Sequence, residues 1–263
     1  MPWVPNAQRN FFAIAALLFA ASATLTVALC DSMSSMDGMP MSGGWNLSMM
    51  WMRMPGQTWP GVAIQFIGMW LVMMIAMMLP SLMPMLWRYR QAVGGKAGNF
   101  LGVLTALVGT GYFFAWALFG VIAFLVGAML SDVEMNWPQV AHVVPTAMGI
   151  VVVIAGALQF TRWKARQLEC CRVAPVCCDA ISADARTAWR HGWRLGLHCV
   201  HCCFGLTVSL LAIGMMNLYA MAIVTVAISV ERFAPRGERV AHCVGTMVIL
   251  AGFLMIMNAT IRS

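Results

Sequence analysis

Residues 61–78 read GVAIQFIGMWLVMMIAMM, a stretch without a single charged side chain. A helix of this length crosses the roughly 30 Å of hydrocarbon in a bilayer. The composition of the whole chain agrees, since 61% of its 263 residues are hydrophobic and only 10% are charged. Soluble proteins carry about a quarter charged residues. These values exclude a soluble enzyme and predict an all-α, polytopic transmembrane helix bundle.

Other apolar runs predict further helices on either side of this stretch. The predicted spans are 11–29, 61–78, 101–130, 140–160, a hairpin over 195–230 that is interrupted at 214–217, and 240–257. They make about seven spans, and one long kinked helix over 195–230 is the alternative to the hairpin. The predicted segments are a first transmembrane anchor (1–30), a Met-rich periplasmic loop (31–60), helices two to four (61–161), a cysteine-containing cytoplasmic loop (162–194) and helices five to seven with a His/Cys cluster (195–263).

The charges of the short loops predict the orientation, because Lys and Arg favour the cytoplasmic side. Most of the 16 Lys and Arg fall in loops that share one side of the predicted membrane plan. The pattern predicts a cytoplasmic N-terminus and a multi-pass protein of the bacterial inner membrane, with the lipid bilayer as its solvent. The net charge of +7 does not indicate nucleic acid, since no basic stretch is interleaved with stacking aromatic residues.

The chain contains 25 Met and 9 Cys, which is unusual even for a membrane protein. Four methionines open the predicted outer loop with the spacing M-x-x-M-x-x-M-x-M; these loop methionines are Met33, Met36, Met39 and Met41. Thioether sulfur is a soft, neutral ligand suited to Cu(I), and the spacing resembles the methionine motifs of periplasmic copper-handling proteins. The alternative is an amphipathic Trp/Met segment that lies at the membrane interface.

A second set of methionines lies on the predicted second helix. Met69, Met73 and Met77 repeat every four residues and therefore form one stripe on that helix. Two interpretations are open. The stripe is either a packing face, because Met fills irregular gaps in a helix bundle, or part of a pathway for a soft metal ion.

Residues 198–203 read HCVHCC and lie inside the predicted fifth helix. Ionisable groups this deep in a membrane helix indicate a functional site. At 100° per residue the side chains cover one broad arc of the helix, so several of them are expected to reach one ion. The predicted ligands are His198, Cys199, His201, Cys202 and Cys203.

Two further groups of candidate ligands lie near this cluster. His242 and Cys243, at the start of the predicted seventh helix, are expected at a similar depth and facing the cluster. The predicted cytoplasmic loop contains the pairs Cys170-Cys171 and Cys177-Cys178. In a reducing compartment these are thiols available to a metal. Their spacing matches no standard zinc pattern, so Cu(I) is the predicted metal and zinc the alternative.

These motifs resemble those of the DUF2182 family of predicted metal-binding integral membrane proteins. The matching elements are Met69-Trp70, Val72-Met73, Ala76-Met77-Met78, Pro80 and Pro84; the stretch 164–172; Gly196, Cys199, Cys202 and Cys203; Met216-Asn217; and Glu231-Arg232. The chain departs from the family pattern at four positions. Gln167 stands where the first Cys of a Lys–Cys–Arg element is usual, and Leu195, His198 and His201 also differ from the residues usual in the family. The resemblance therefore implies metal ligation only for Cys171, Cys199, Cys202 and Cys203.

The sequence predicts a membrane protein that handles Cu(I), by uptake, delivery or chaperoning, with a copper chaperone or a cuproenzyme as its partner. Nucleotide hydrolysis is not expected, since residues 94–96 lack the rest of a phosphate-binding loop, and the protein is not predicted to be an enzyme. A membrane thiol redox protein that uses Cys199 and Cys202 together with Cys203 is one alternative. A metal-binding auxiliary subunit of a membrane enzyme complex is another.

Overall fold

The computed structural model describes residues 5–34, 39–40, 46–47, 51, 56–173 and 183–262. The predicted all-α class is confirmed, since these residues form eight α-helices and one pair of two-residue strands. The helices are α1 (Pro5–Ser34), α2 (Trp59–Ala97), α3 (Leu101–Asn136), α4 (Pro138–Leu158), α5 (Arg162–Val173), α6 (Ala185–Ile213), α7 (Leu218–Phe233) and α8 (Gly237–Arg262). Between α1 and α2, β1 (Met39–Pro40) pairs antiparallel with β2 (Asn46–Leu47).

Five of the described helices are long and apolar enough to cross a membrane: α1, α2, α3, α6 and α8. Helices α4 and α5 meet at a bend of 62° and make a sixth candidate if the pair forms one span. The predicted sixth span is α7, which has 16 residues. Its length of about 24 Å is shorter than the hydrocarbon core. The outer faces of the bundle suit lipid, since Leu17, Ile64 and Met247 are 70%, 71% and 71% exposed.

The interruption at 214–217 separates α6 from α7, so the two helices are separate as predicted and the single kinked helix is wrong, while α7 is not among the described helices long enough to span a membrane. Gly214 ends α6 with a φ of 115°, a conformation that favours glycine. Asn217 then caps α7, because its side-chain oxygen accepts a hydrogen bond from the Ala220 N–H at 3.1 Å. The connection therefore places Met215 and Met216 at one end of the bundle.

The segment 162–194, predicted as a loop, contains α5 and the first turns of α6. Asp184 caps α6 by accepting a hydrogen bond from the Thr187 N–H at 2.9 Å. Hydrogen bonding to Thr187 lowers the pKa of the Asp184 carboxyl, because the bond stabilises the charged form. The cap explains why α6 begins well before its apolar part.

Two helix pairs in the bundle approach closely through glycines. On α6, Gly192 and Gly196 lie against the backbone of α3, and a Cβ at Gly192 would clash with the carbonyl oxygen of Val108. Gly149 and Gly156 of α4 meet α8 in the same way. Small residues at such crossings let helices pack closely in a membrane. These contacts fix α6 against α3, and α8 against α4.

Helix α2 provides much of the buried core. Trp70, Met74 and Met78 are fully buried, and the Trp70 indole N–H donates to the carbonyl oxygen of Trp116 on α3 at 2.9 Å. The helix continues through Pro80 and Pro84 to Ala97, well beyond the predicted span. Its methionine-rich face therefore runs along the middle of the bundle.

Candidate metal centre

Three cysteines of α6 are buried in the bundle and form what we call the cysteine centre: Cys199, Cys202 and Cys203, which are 1%, 3% and 1% exposed. Cys199 and Cys203 are one helical turn apart, and their Sγ atoms lie 4.0 Å from each other. The Sδ atom of Met78, on α2, is also 4.0 Å from the Sγ atom of Cys199. The structure thus gathers two thiols and one thioether at a single buried point.

Two hydrogen-bond donors lie against these sulfur atoms. The Tyr112 hydroxyl of α3 donates to the Sγ atom of Cys199 at 2.8 Å. The Arg232 Nη2 group of α7 donates to the same Sγ atom at 2.7 Å and to that of Cys203 at 3.5 Å. Metals bind the thiolate form of cysteine, and a guanidinium at this distance offsets the thiolate charge.

A buried ion pair lies beside the cysteine centre. The Nζ atom of Lys164, on α5, is 2.7 Å from the Glu231 Oε2 atom and donates to the Cys202 carbonyl oxygen, also at 2.7 Å. The second carboxylate oxygen of Glu231, Oε1, is buried and has no hydrogen-bond partner among the described residues. Buried charges are costly in a membrane bundle and usually mark a functional site. Five helices, α2, α3, α5, α6 and α7, contribute to this site.

The two predicted histidine ligands lie outside it. The His198 Nδ1 atom is 3.2 Å from the Gln167 Oε1 atom of α5. His201 is exposed, and its Nδ1 atom is 2.7 Å from the carbonyl oxygen of Leu197. At 100° per residue, His198 is displaced by about 100° and His201 by about 200° from Cys199 around the helix. The predicted arc is therefore too wide for all five side chains to meet at one ion.

His242 and Cys243 are exposed on α8, and the His242 ring stacks on Phe160 with a centroid distance of 5.1 Å. The prediction that this pair faces the cysteine centre is not matched, because the glycine crossing packs α8 on α4. His242 instead lines a cavity of about 190 Å³ that Lys164 also borders.

The remaining predicted ligands lie in different places, and some of them lie outside the described residues. Met69 and Met73 line a second, small cavity, Met77 is buried and Met33 is half-buried near the end of α1. The side chains of Cys170, Cys171 and Met39 lie outside what the structure describes, as do residues Met36, Met41, Cys177 and Cys178. Within the described residues, no three His, Cys, Asp or Glu side chains are arranged to hold a metal ion. Any ion at the cysteine centre therefore needs a thioether or a shift of side chains.

A family model for PpoB2, described as a copper chaperone, matches residues 67–255, which include all the cysteines of the centre and the side chains described around them. The chain belongs to the PpoB2 family. A copper-related family is what the sequence predicted, whereas the resemblance to DUF2182 stays a prediction. No curated protein and no solved structure matches the chain.

Sequence reasoning on this PpoB2 family member missed Tyr112, Lys164 and Arg232 as parts of the site. The two basic residues were interpreted as loop charges, yet they are only 3% and 7% exposed. A signal was present, because Arg232 and Glu231 directly follow an apolar run. Tyr112 had no such signal, since aromatic residues are common in membrane helices.

Proposed function

We propose that this chain is an integral membrane chaperone for Cu(I) that binds copper at the cysteine centre and passes it to a cuproenzyme or another copper carrier. One observation carries the proposal: in a protein of a copper chaperone family, Cys203 and Met78 both place sulfur 4.0 Å from the sulfur of Cys199. Copper is the cargo of this function. The helices that can span a membrane support the location in a bilayer.

The spacing of the sulfur atoms fits one soft ion. With metal–sulfur bonds of about 2.3 Å, as for zinc thiolates, two sulfurs bound to one ion at about 120° lie about 4 Å apart, and Cys199 has this distance to Cys203 and to Met78. Thiolate and thioether ligands select Cu(I) among the common metal ions. Two thiolates and one Cu(I) carry a net charge of −1, which the guanidinium of Arg232 offsets at 2.7 Å from Cys199.

Burial of the cysteine centre suits storage of Cu(I). A dry, enclosed thiol pair protects Cu(I) from oxidation and from competing ligands in water. Thioethers bind Cu(I) more weakly than thiolates, so transfer from the loop methionines to the cysteine centre is downhill. We propose that this gradient drives delivery without nucleotide hydrolysis, and that the protein is not an enzyme.

The redox alternative receives less support. Exchange between a dithiol and a partner disulfide needs an accessible sulfur, whereas all three cysteines of the centre are at most 3% exposed. The cysteines predicted for that chemistry are Cys199 and Cys202 together with Cys203, and the Sγ atoms of Cys199 and Cys203 lie 4.0 Å apart.

Anaerobic Cu(I) titration of the purified protein against a competing chelator tests the proposal. The variant Cys199→Ala/Cys203→Ala is expected to lose the tightest site. The control is Cys243→Ala, which removes an exposed cysteine of α8 and should bind as the wild type does. Copper X-ray absorption should show sulfur ligands in the wild type and in the control.

The result would contradict the proposal if the double variant kept the tightest site, or if the wild type bound zinc and no copper after copper loading. Met78→Leu tests the contribution of the thioether alone, since Leu keeps the apolar volume and removes the sulfur. We expect it to weaken Cu(I) binding by about tenfold, the equivalent of one modest ligand interaction of about 1.4 kcal/mol.

A further inference from the structure

A second group of sulfur atoms surrounds a small cavity between α1, α2 and the connection from α6 to α7. The cavity has a volume of about 10 Å³, enough for roughly one water molecule or one ion. Five sulfur-bearing side chains line it: Cys30, Met69, Met73, Met215 and Met216. They come from three separate parts of the chain, so only the folded bundle brings them together.

The side chains around this sulfur cavity are ordered by close contacts. The Cys30 thiol donates to the Met216 Sδ atom at 3.7 Å. Cys30, Met73 and Met215 are each at most 5% exposed. The other lining residues are Thr26 and Leu29 of α1, so no charged group borders the cavity.

We propose that the sulfur cavity is a second Cu(I) site, distinct from the cysteine centre. One thiolate, from Cys30, balances the single charge of Cu(I), and the surrounding thioethers supply neutral, soft ligands. Hard divalent ions prefer oxygen ligands, and the only oxygen-bearing side chain here is that of Thr26, whose hydroxyl already donates to the Ser22 carbonyl oxygen. The chemistry of the lining therefore selects a soft monovalent ion.

The position of the sulfur cavity relates it to the proposed chaperone function, on which this inference rests. Met73 borders the cavity, and Met78, five residues further along α2, contacts Cys199. Five residues of helix correspond to about 7.5 Å. Met77, which is buried, lies between them. Copper bound in the cavity thus lies next to a run of buried methionine that leads to the stronger thiol ligands.

Anaerobic Cu(I) binding to full-length variants tests the second site separately from the first. The wild type should bind about two Cu(I) ions per chain, one for each sulfur cluster. Cys30→Ala/Met73→Leu should bind about one, and so should Cys199→Ala/Cys203→Ala. Combining all four substitutions should remove both ions. Met85→Leu is the matched control, since Met85 is a buried methionine of α2 that does not line the cavity.

The outcomes separate this inference from the proposed function. If Cys30→Ala/Met73→Leu retains every copper ion, the sulfur cavity is a packing feature and only the chaperone proposal stands. If Cys199→Ala/Cys203→Ala retains one ion that Cys30→Ala then removes, the cavity site is supported independently of the centre. Met216→Leu is a milder variant that conserves the side-chain volume. Size-exclusion chromatography checks that this variant and Cys30→Ala fold as the wild type does. If both are folded and both keep the wild-type copper content, the inference is wrong.

Discussion

Replacing Gly196 with alanine tests whether the close crossing of α3 and α6 builds the cysteine centre. A Cβ atom at this position would lie 2.6 Å from the Tyr112 carbonyl oxygen and 2.8 Å from the Cβ atom of Ala115. Ordinary contacts between carbon atoms are about 3.5–4.0 Å. The two helices must therefore separate by about 1 Å, because backbone atoms form part of the clash and no side-chain rotation relieves it.

The magnitude follows from two effects of that separation. Overpacking a buried position costs about 1–3 kcal/mol. The hydrogen bond from Tyr112 to Cys199, 2.8 Å long, spans the same crossing. Breaking it leaves a buried hydroxyl without a partner, at a cost of about 1–3 kcal/mol. Because the two effects overlap, we expect Gly196→Ala to lower the free energy of unfolding by about 2–4 kcal/mol.

Reversible unfolding by SDS in mixed micelles measures this loss, and Cu(I) titration of the folded fraction should show weaker binding. The matched control is Gly68→Ala, on α2, where an added Cβ has nothing within 4 Å. This control should keep or gain stability, by up to about 1 kcal/mol from helix propensity. Equal stability of Gly196→Ala and Gly68→Ala would refute the close crossing as the support of the centre.

Three further predictions concern the ion pair, the orientation and the outer loop. Glu231→Gln should lower the free energy of unfolding by about 3–5 kcal/mol, because Lys164 stays buried without its carboxylate; SDS unfolding measures the loss, and a variant as stable as the wild type would contradict the pair. A reporter that is active only outside the cytoplasm should work after Gly43 and fail after Ala180, whereas the reverse pattern would contradict the predicted orientation. Replacing all four loop methionines with leucine should slow copper accumulation in cells at limiting copper without changing the copper content of saturated protein, and unchanged uptake would rule out a role in supply.

The helices were predictable because lipid demands long apolar runs, but their ends were less so. The run 61–78 identified α2 and predicted a span that ends at residue 78, shortly before Pro80, and proline removes a backbone hydrogen bond. The structure continues α2 to Ala97. Membrane helices tolerate such prolines because neighbouring helices and side chains satisfy the freed backbone groups. Neighbouring groups of this kind are not visible in a hydropathy pattern.

The type of ligand at the site, sulfur, was predictable, but the full set of residues that form the site was less so. Cys199 and Cys203 follow from helical spacing alone, because they are one turn apart. Lys164 reaches the centre only because the chain bends by 62° between α4 and α5. A sequence shows that Lys164 is positive, and the usual position for such a charge is the cytoplasmic surface. Its burial is a tertiary property that no local pattern contains.

The buried charges around the cysteine centre have a consequence for the ion that the proposed site would select. Lys164 and Arg232 contribute two positive charges, and Glu231 contributes one negative charge. With Cys199 and Cys203 as thiolates, these five groups sum to −1, which one Cu(I) neutralises, whereas a divalent ion would leave one buried positive charge uncompensated. Zinc and copper both accept thiolate ligands, so ligand type alone separates them poorly. We therefore expect the buried charges around the proposed site to favour Cu(I) over Zn²⁺.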